Sequence, residues 1–162
     1  MIETALVTAS VLLLAIAALQ DVAMRTVSNH LVIALAIAGM SLRSLNGSLP
    51  AGLLAAAIIF AIAAACWRRG WMGGGDVKLL GAATLLVPPG STPSLIVDVC
   101  LSGGVLSLVF LAARRRVAVP GRLRPRGLLA RAVRVERWRL RRGGPLPYAV
   151  AIACGAIIVI VQ

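Results

Sequence analysis

Two aspartates, Asp21 and Asp76, are the residues of this sequence best placed to do chemistry, because each adjoins a long apolar stretch. Two carboxylates held close together cannot both ionise easily, so they share a proton. One then acts as a base that activates water for attack on an amide carbonyl, and the other as an acid that protonates the leaving amine. This aspartic-protease chemistry needs no metal, cofactor or nucleophilic cysteine, and the sequence indicates none.

Each aspartate also has a structural interpretation. Asp76 could cap a helix, since aspartate accepts hydrogen bonds from the free amides of a first turn, and Asp21 could be a polar stop at a membrane interface. The glycines at 73–75 suit the close approach of an extended substrate or a bend in the chain, but also a hinge or close helix packing. Lys78 lies two residues from Asp76, and we expect its side chain to reach lipid phosphates instead.

The elements that would position these aspartates are membrane helices. Hydrophobic residues make up 60% of the 162-residue chain and charged residues 14%, which is typical of membrane proteins. The widely spaced residues Cys66, Cys100 and Cys154 predict no disulfide or metal site. We predict an all-α, polytopic membrane protein with one peptidase domain over 1–162 and six transmembrane helices. These helices are expected at 2–20, 29–45, 51–67, 71–87, 94–113 and 145–161.

The basic residues predict the topology. Of 17 lysines and arginines, 12 lie between Arg114 and Arg142, in a loop at about 114–144. By the positive-inside rule this loop is cytoplasmic, which places both termini outside and Asp21 and Asp76 near the cytoplasmic face. Asp98 is expected near the opposite face. Residues 128–142 predict an amphipathic helix on the anionic inner leaflet, or else a solvated linker. Nucleic acid is not an expected partner, because the loop's one aromatic residue is Trp138.

Three stretches resemble the small type IV prepilin peptidases of tight-adherence pili, which are GxGD-class membrane aspartic proteases. Residues 73–79, Gly-Gly-Gly-Asp-Val-Lys-Leu, look like the second-aspartate motif of that family, and residues 21–31 look like the first. The ending at 145–152, followed by Gly155, is similar to the last family span. The resemblance implies that Asp21 and Asp76 are the catalytic pair of a bacterial inner-membrane enzyme, and that its partner is a prepilin-like membrane protein cut on the cytoplasmic side.

The sequence departs from the family pattern at two points. Val27-Ser28-Asn29 stands where Ile-Pro-Asn is common, so we expect a less rigid turn. The N-terminal cytoplasmic region of larger, methylating relatives is not present in this sequence, so no N-methylation is predicted. The oligomeric state stays open. Two alternatives use the aspartates differently: a small proton- or ion-coupled transporter component, which Asp98 favours, or a non-enzymatic accessory protein of a secretion apparatus.

Overall fold

The structure is a computed structural model that describes residues 1–116 and 146–162. Within these ranges the chain is all-α, as predicted, and contains no strand. Each helix falls on one of the predicted apolar segments. The helices are α1 (Ile2–Met24), α2 (Asn29–Leu45), α3 (Leu49–Arg68), α4 (Gly74–Leu86), α5 (Thr92–Arg116) and α6 (Tyr148–Val161), with a 3-10 turn at Pro89–Ser91 before α5.

The prediction of six membrane-spanning helices is wrong by the measure of length and apolarity. In the described part of the chain, three helices are long and apolar enough to cross a membrane: Ile2–Met24, Leu49–Arg68 and Pro89–Arg114. The remaining helices have 17, 13 and 14 residues. At 1.5 Å per residue they measure about 25, 20 and 21 Å, against a hydrocarbon core of about 30 Å. The predicted fourth and sixth spans are shortened because their helices begin only at Gly74 and Tyr148.

Local signals in the sequence set the helix boundaries near the aspartates. Helix α1 ends at Arg25, whose backbone is left-handed with a φ of 58°. The Ser28 hydroxyl caps α2 by accepting a hydrogen bond from the backbone N–H of His30 at 3.3 Å. Gly73 is the extended N-cap of α4, with φ −71° and ψ 144°. Both aspartates therefore lie within one turn of a helix end.

Helix α4 is the centre of the described bundle. All of its residues from Leu79 to Leu86 are buried, and it packs most extensively against α2 and α3, and also against α6. Helices α2 and α4 approach each other closely at Gly39 of α2, where an added Cβ would lie 2.6 Å from the Cβ of Leu85 on α4. Asp76 is thus carried by a short helix that packs against three others at the centre of the bundle.

The chain divides into two compact units, residues 1–103 with 147–162, and residues 104–146. The first unit contains both aspartates and the helices that pack around them. The second contains the C-terminal part of α5. The single peptidase domain over 1–162 stays a prediction. The amphipathic helix predicted at 128–142, and most of the basic loop that contains it, lie outside the described residues.

Candidate active site

Asp21 lies in the last turn of α1 and contacts the first turn of α6. Its side chain is 6% exposed. The backbone N–H of Ala149 donates a hydrogen bond to Asp21 Oδ2 at 3.1 Å. Ala149 is the second residue of α6, so this amide belongs to the group that a helix leaves without an internal partner. A carboxylate from α1 therefore caps the first turn of α6.

Asp76 is the third residue of α4 and makes a reciprocal contact with the N-cap residue. Its backbone N–H donates to the carbonyl of Gly73 at 3.1 Å, and its carboxylate accepts a hydrogen bond from the Gly73 backbone. This arrangement corresponds to the carboxylate half of a capping box. Asp76 is therefore not the N-cap residue of α4, which is Gly73, but its carboxylate bonds to the backbone of that residue.

The two carboxylates lie within electrostatic reach of each other. Partial burial of Asp76 raises its pKa to about 6, and the nearby charge of Asp21 contributes to the rise, while the hydrogen bond from Gly73 opposes it. Asp76 belongs to α4, which is not one of the helices long enough to span a membrane. A carboxyl group with this pKa carries a proton in mildly acidic solution and can give it up near neutrality, which is the range that acid and base catalysis requires.

Asp98 is at a different level of the bundle from Asp21. It lies in the N-terminal part of α5, next to Val99, which packs against Gly155 of α6 so closely that a Cβ on the glycine would be 2.6 Å from the Val99 backbone nitrogen. Asp21 contacts α6 at Ala149, six residues earlier. This separation corresponds to about 9 Å along the helix axis. The structure thus places Asp21 within electrostatic reach of Asp76, and places Asp98 at a different level of α6 from Asp21.

The three glycines before Asp76 have different surroundings. A Cβ on Gly73 would lie 2.8 Å from Asp76 Oδ2, closer than real Cβ atoms approach such an atom. A Cβ on Gly74 would lie 3.4 Å from Trp67 Nε1, and one on Gly75 3.7 Å from the Val27 Cβ, which is ordinary contact. The glycines with positive φ in the described chain are Gly47 and Gly70. Gly73 is therefore needed for the space that the Asp76 carboxylate occupies, and not for an unusual backbone angle.

The turn between α1 and α2 is held by a hydrogen bond that a proline could not make. The backbone N–H of Ser28 donates to Gln20 Oε1 at 3.0 Å. Gln20 is the neighbour of Asp21, so this bond ties the turn to the helix end that carries the carboxylate. The less rigid turn that we expected from Val27-Ser28-Asn29 thus has two restraints, the Gln20 bond and the Ser28 cap on His30.

Lys78 makes a contact that the sequence did not predict. Its Nζ donates a hydrogen bond to Asn29 Oδ1 at 3.1 Å, which joins the N-terminal parts of α4 and α2. The lysine is exposed. Its contact with lipid phosphates stays a prediction. The bond to Asn29 links the two stretches that resemble family motifs.

Other reactive side chains lie elsewhere. Cys66, Cys100 and Cys154 are free thiols, and the last two are exposed. In residues 1–116 and 146–162, no three His, Cys, Asp or Glu side chains are grouped so that they could hold a metal ion.

Sequence reasoning missed two groups around Asp21: the Ala149 amide and the Gln20 side chain. The amide has no side-chain signal, and only the resemblance of residues 145–152 to a family span pointed to this region. Gln20 directly precedes Asp21, but its role depends on Ser28, eight residues later.

Comparison with known proteins places the chain in a family. No curated protein and no solved structure matches the chain. The model of the type IV leader peptidase family matches residues 8–108, a range that covers more than half of the chain and includes both aspartates. Together with three helices long and apolar enough to cross a bilayer, this match identifies an integral membrane peptidase. The chain belongs to the type IV leader peptidase family.

Proposed function

We propose that this protein is an aspartic endopeptidase that removes the leader of prepilin-like membrane proteins, with Asp21 and Asp76 as its catalytic pair. The observation that carries the proposal is the proximity of the two carboxylates, one at the end of α1 and one at the start of α4. The family match supports peptidase activity in general. The aspartic mechanism rests on the chemistry of the pair.

The proposed mechanism is hydrolysis by a water molecule between the two carboxyl groups. The ionised carboxylate takes a proton from water as the water oxygen bonds to the amide carbon. The protonated carboxyl stabilises the developing oxyanion by a hydrogen bond and then gives a proton to the leaving nitrogen as the C–N bond breaks. The products are a carboxylic acid on the leader and a free amine on the mature protein.

The surroundings of the pair favour Asp21 as the base and Asp76 as the acid. Asp21 accepts a hydrogen bond from the Ala149 amide of α6. Burial and the charge of Asp21 raise the pKa of Asp76 to about 6, which favours its protonated form. We therefore assign the shared proton of the resting pair to Asp76.

We propose that the pair faces the cytoplasm. Each of the three helices long enough to span carries arginine at its C-terminal end: Arg25 after α1, Arg68 and Arg69 at α3, and Arg114 in α5. Under the positive-inside rule these ends are cytoplasmic. Asp21 lies at such an end. Asp76 lies near the same end of α3, because Gly74 packs against Trp67.

The proposed substrate follows from the family and from the position of the pair. A leader cut just before an apolar helix places its peptide bond at the membrane surface, where both carboxylates are expected. The partner is thus a prepilin-like protein of a bacterial inner membrane, whose apolar segment stays in the bilayer during cleavage. A type IV or tight-adherence pilus system is the proposed context.

Processing of a prepilin-like protein co-expressed in bacterial membranes tests this function. We expect the wild type to shift the mobility of the substrate, and Asp21→Asn and Asp76→Asn each to abolish the shift. Asp98→Asn is the matched control and should cleave normally, because Asp98 lies apart from the pair. Membrane levels of each variant must equal the wild-type level.

The outcomes separate the peptidase from its alternatives. Cleavage by Asp76→Asn at the wild-type rate would make Asp76 only a helix cap and remove the proposed mechanism. If the wild type cuts no prepilin from a representative set, a proton-flux assay in liposomes tests the transporter alternative. An accessory protein would show neither activity, and its function would not respond to either asparagine.

A further inference from the structure

A groove of about 380 Å³ runs between α2, α3 and α4, on the side of α4 that does not carry the carboxylate pair. It extends from Lys78 to Leu85 along α4 and from Leu53 to Phe60 along α3. Seven residues of helix correspond to about 10 Å. Lys78 is the one charged residue among those that line it.

The groove is separate from the proposed catalytic site. At 3.6 residues per turn, Lys78, Gly81 and Leu85 lie on the face of α4 opposite Asp76. The α3 wall is open to the surroundings, since Leu53 and Phe60 are 44% and 46% exposed. Helix α3 is a candidate membrane span, so the surroundings of this wall are the bilayer.

The lining of the groove favours a lipid as its occupant. The lining residues are apolar apart from Lys78 at one end, which matches an acyl chain joined to an anionic headgroup. An acyl chain is apolar along its length and has no polar backbone groups that would need partners.

Lys78 lies at the depth where a lipid phosphate is found. It is one turn after Gly74, which packs against Trp67. Trp67 and the nearby Trp71 are 54% and 72% exposed, and exposed tryptophans are typical of the membrane interface. Lys78 Nζ donates one hydrogen bond to Asn29, and an ammonium group has three N–H donors.

We propose that this groove is a binding site for an anionic phospholipid, with one acyl chain along α4 and the phosphate at Lys78. The apolar walls select the chain, and the positive charge at one end selects the headgroup. The site is independent of the proposed peptidase function, because neither Asp21 nor Asp76 contributes to it. One face of helix α4 then carries Asp76, near Asp21, and the opposite face contacts the bound lipid.

Photolabelling of the full chain in lipid nanodiscs tests the site. The probes are phosphatidylglycerol and phosphatidylcholine that carry the same photoactivatable group in the acyl chain, and labelled peptides are mapped by mass spectrometry. We expect phosphatidylglycerol to label the groove segments of α3 and α4 about fivefold more than phosphatidylcholine, which is the preference one lysine near an anionic headgroup provides. The readout does not require cleavage, so it succeeds or fails apart from the peptidase proposal.

Three variants connect the labelling to the groove. Lys78→Met should remove the preference for phosphatidylglycerol, and Lys78→Arg should keep it. Ala57→Leu should reduce labelling by both lipids, because Ala57 lines the groove from its exposed side and is outside the buried core. Arg69→Met is the matched control: its guanidinium lies over Trp71, 5.3 Å from the ring centre, and its loss should leave groove labelling unchanged.

Equal labelling by the two lipids in the wild type would overturn the proposal, as would a preference that persists in Lys78→Met. A photocrosslinker at Ala57 that captures a co-expressed prepilin or a second copy of the chain, in place of lipid, would also overturn it. Thermal unfolding of each variant shows that a loss of labelling does not reflect a loss of fold.

Discussion

The last turn of α1 and the first turn of α4 hold their carboxylates in different ways. Asp21 depends on a distant part of the chain, because its partner amide belongs to Ala149, 128 residues later. Asp76 depends on its own turn, because its carboxylate and backbone both bond to Gly73. Local changes in α4 should therefore displace Asp76 alone. The position of the Asp21 carboxylate depends on how α6 packs against α1. Removal of this carboxylate should weaken the contact between the two helices.

Among changes that keep both carboxylates, the largest effect on activity is expected from Gly73→Ala. The added Cβ would lie 2.8 Å from Asp76 Oδ2, so the carboxylate must move from its position beside Asp21. A shift of about 1 Å in a catalytic group reduces kcat on the order of a hundredfold. The measurement is the initial rate of prepilin processing in membranes that contain equal amounts of wild type and variant.

Gly75→Ala is the matched control, with the same change two residues later. Its Cβ would make ordinary contact with Val27, 3.7 Å away. Replacing glycine by alanine near a helix start is otherwise mild, so we expect a rate within about threefold of wild type. Equal losses in the two variants would show that the glycines act through backbone freedom or substrate approach, and not through the Asp76 carboxylate.

This contrast between the glycines shows what the sequence could predict. The helical segments follow from apolar runs and turn residues, whereas the shared membrane side of the two aspartates stays a prediction. The particular need for Gly73 does not, because it arises from the rotamer of Asp76 and has no signature in residue type. The number of spanning helices was wrong for a related reason. Apolar runs such as 71–87 include turn residues, and only the backbone shows that α4 begins at Gly74.

The contacts of Asp21 were beyond prediction for a different reason. A backbone amide is present at every residue except proline, so no residue type marks Ala149 as a partner. Its identity follows from the packing of α6 on α1, a contact between the two ends of the chain. Sequence patterns describe one helix at a time and do not determine which helix ends meet.

The second expected effect concerns the cap that Asp21 provides for α6. Asp21→Ala removes the acceptor and leaves the Ala149 amide buried without it, which should cost about 1–3 kcal/mol of unfolding free energy. Asp21→Asn retains a side-chain oxygen at the same place and should cost less. Denaturation in mixed micelles, followed by helical circular dichroism, measures both variants.

Asp21→Ala and Asp21→Asn should both be inactive but should differ in stability. The two variants therefore separate the effect on activity from the effect on stability. If Asp21→Asn and Asp21→Ala are equally stable, the bond from Ala149 does not contribute to the docking of α6. The contrast between Asp21, which is held by a distant residue, and Asp76, which is held by its own turn, would then have no counterpart in stability.

The third effect is an increase in stability at neutral pH when Asp76 is replaced by asparagine. The pKa of Asp76 is about 6 in the folded protein, against about 3.9 for an unperturbed aspartate, so the folded state binds the proton more tightly. The wild type therefore loses stability as pH rises from about 4 to about 6, and asparagine does not titrate. Asp76→Asn should have a higher melting temperature than the wild type above pH 6, and a similar one at pH 4.

Thermal unfolding of both proteins in the same detergent between pH 4 and pH 8 measures this difference. Asp98→Asn is the control for the removal of a negative charge. Its melting-temperature difference from the wild type should not follow the pH dependence that is expected for Asp76→Asn. A melting-temperature difference independent of pH would mean that the Asp76 carboxyl is not perturbed in the folded state. The assignment of the resting proton to Asp76 would then be wrong.

The smallest effect is expected at the turn beside Asp21, where Ser28 stands in the place of the usual proline. Ser28 has a φ of −65°, which suits proline, so Ser28→Pro should fit the backbone while removing the N–H that Gln20 accepts. Gln20→Ala in the wild type should cost about 0.5–1.5 kcal/mol of unfolding free energy, the usual contribution of one hydrogen bond. In the Ser28→Pro background the same change should cost close to nothing, because the donor is already absent.

A double-mutant cycle on Gln20 and Ser28, measured by denaturation, tests this replacement. A coupling energy near the cost of the single Gln20→Ala change would mean that the glutamine bond restrains the turn as the proline ring does in relatives. A cost for Gln20→Ala that is equal in both backgrounds would instead assign the effect to packing of the glutamine side chain. In that case the turn next to Asp21 is less restrained than proline would make it, which is what the sequence alone predicted.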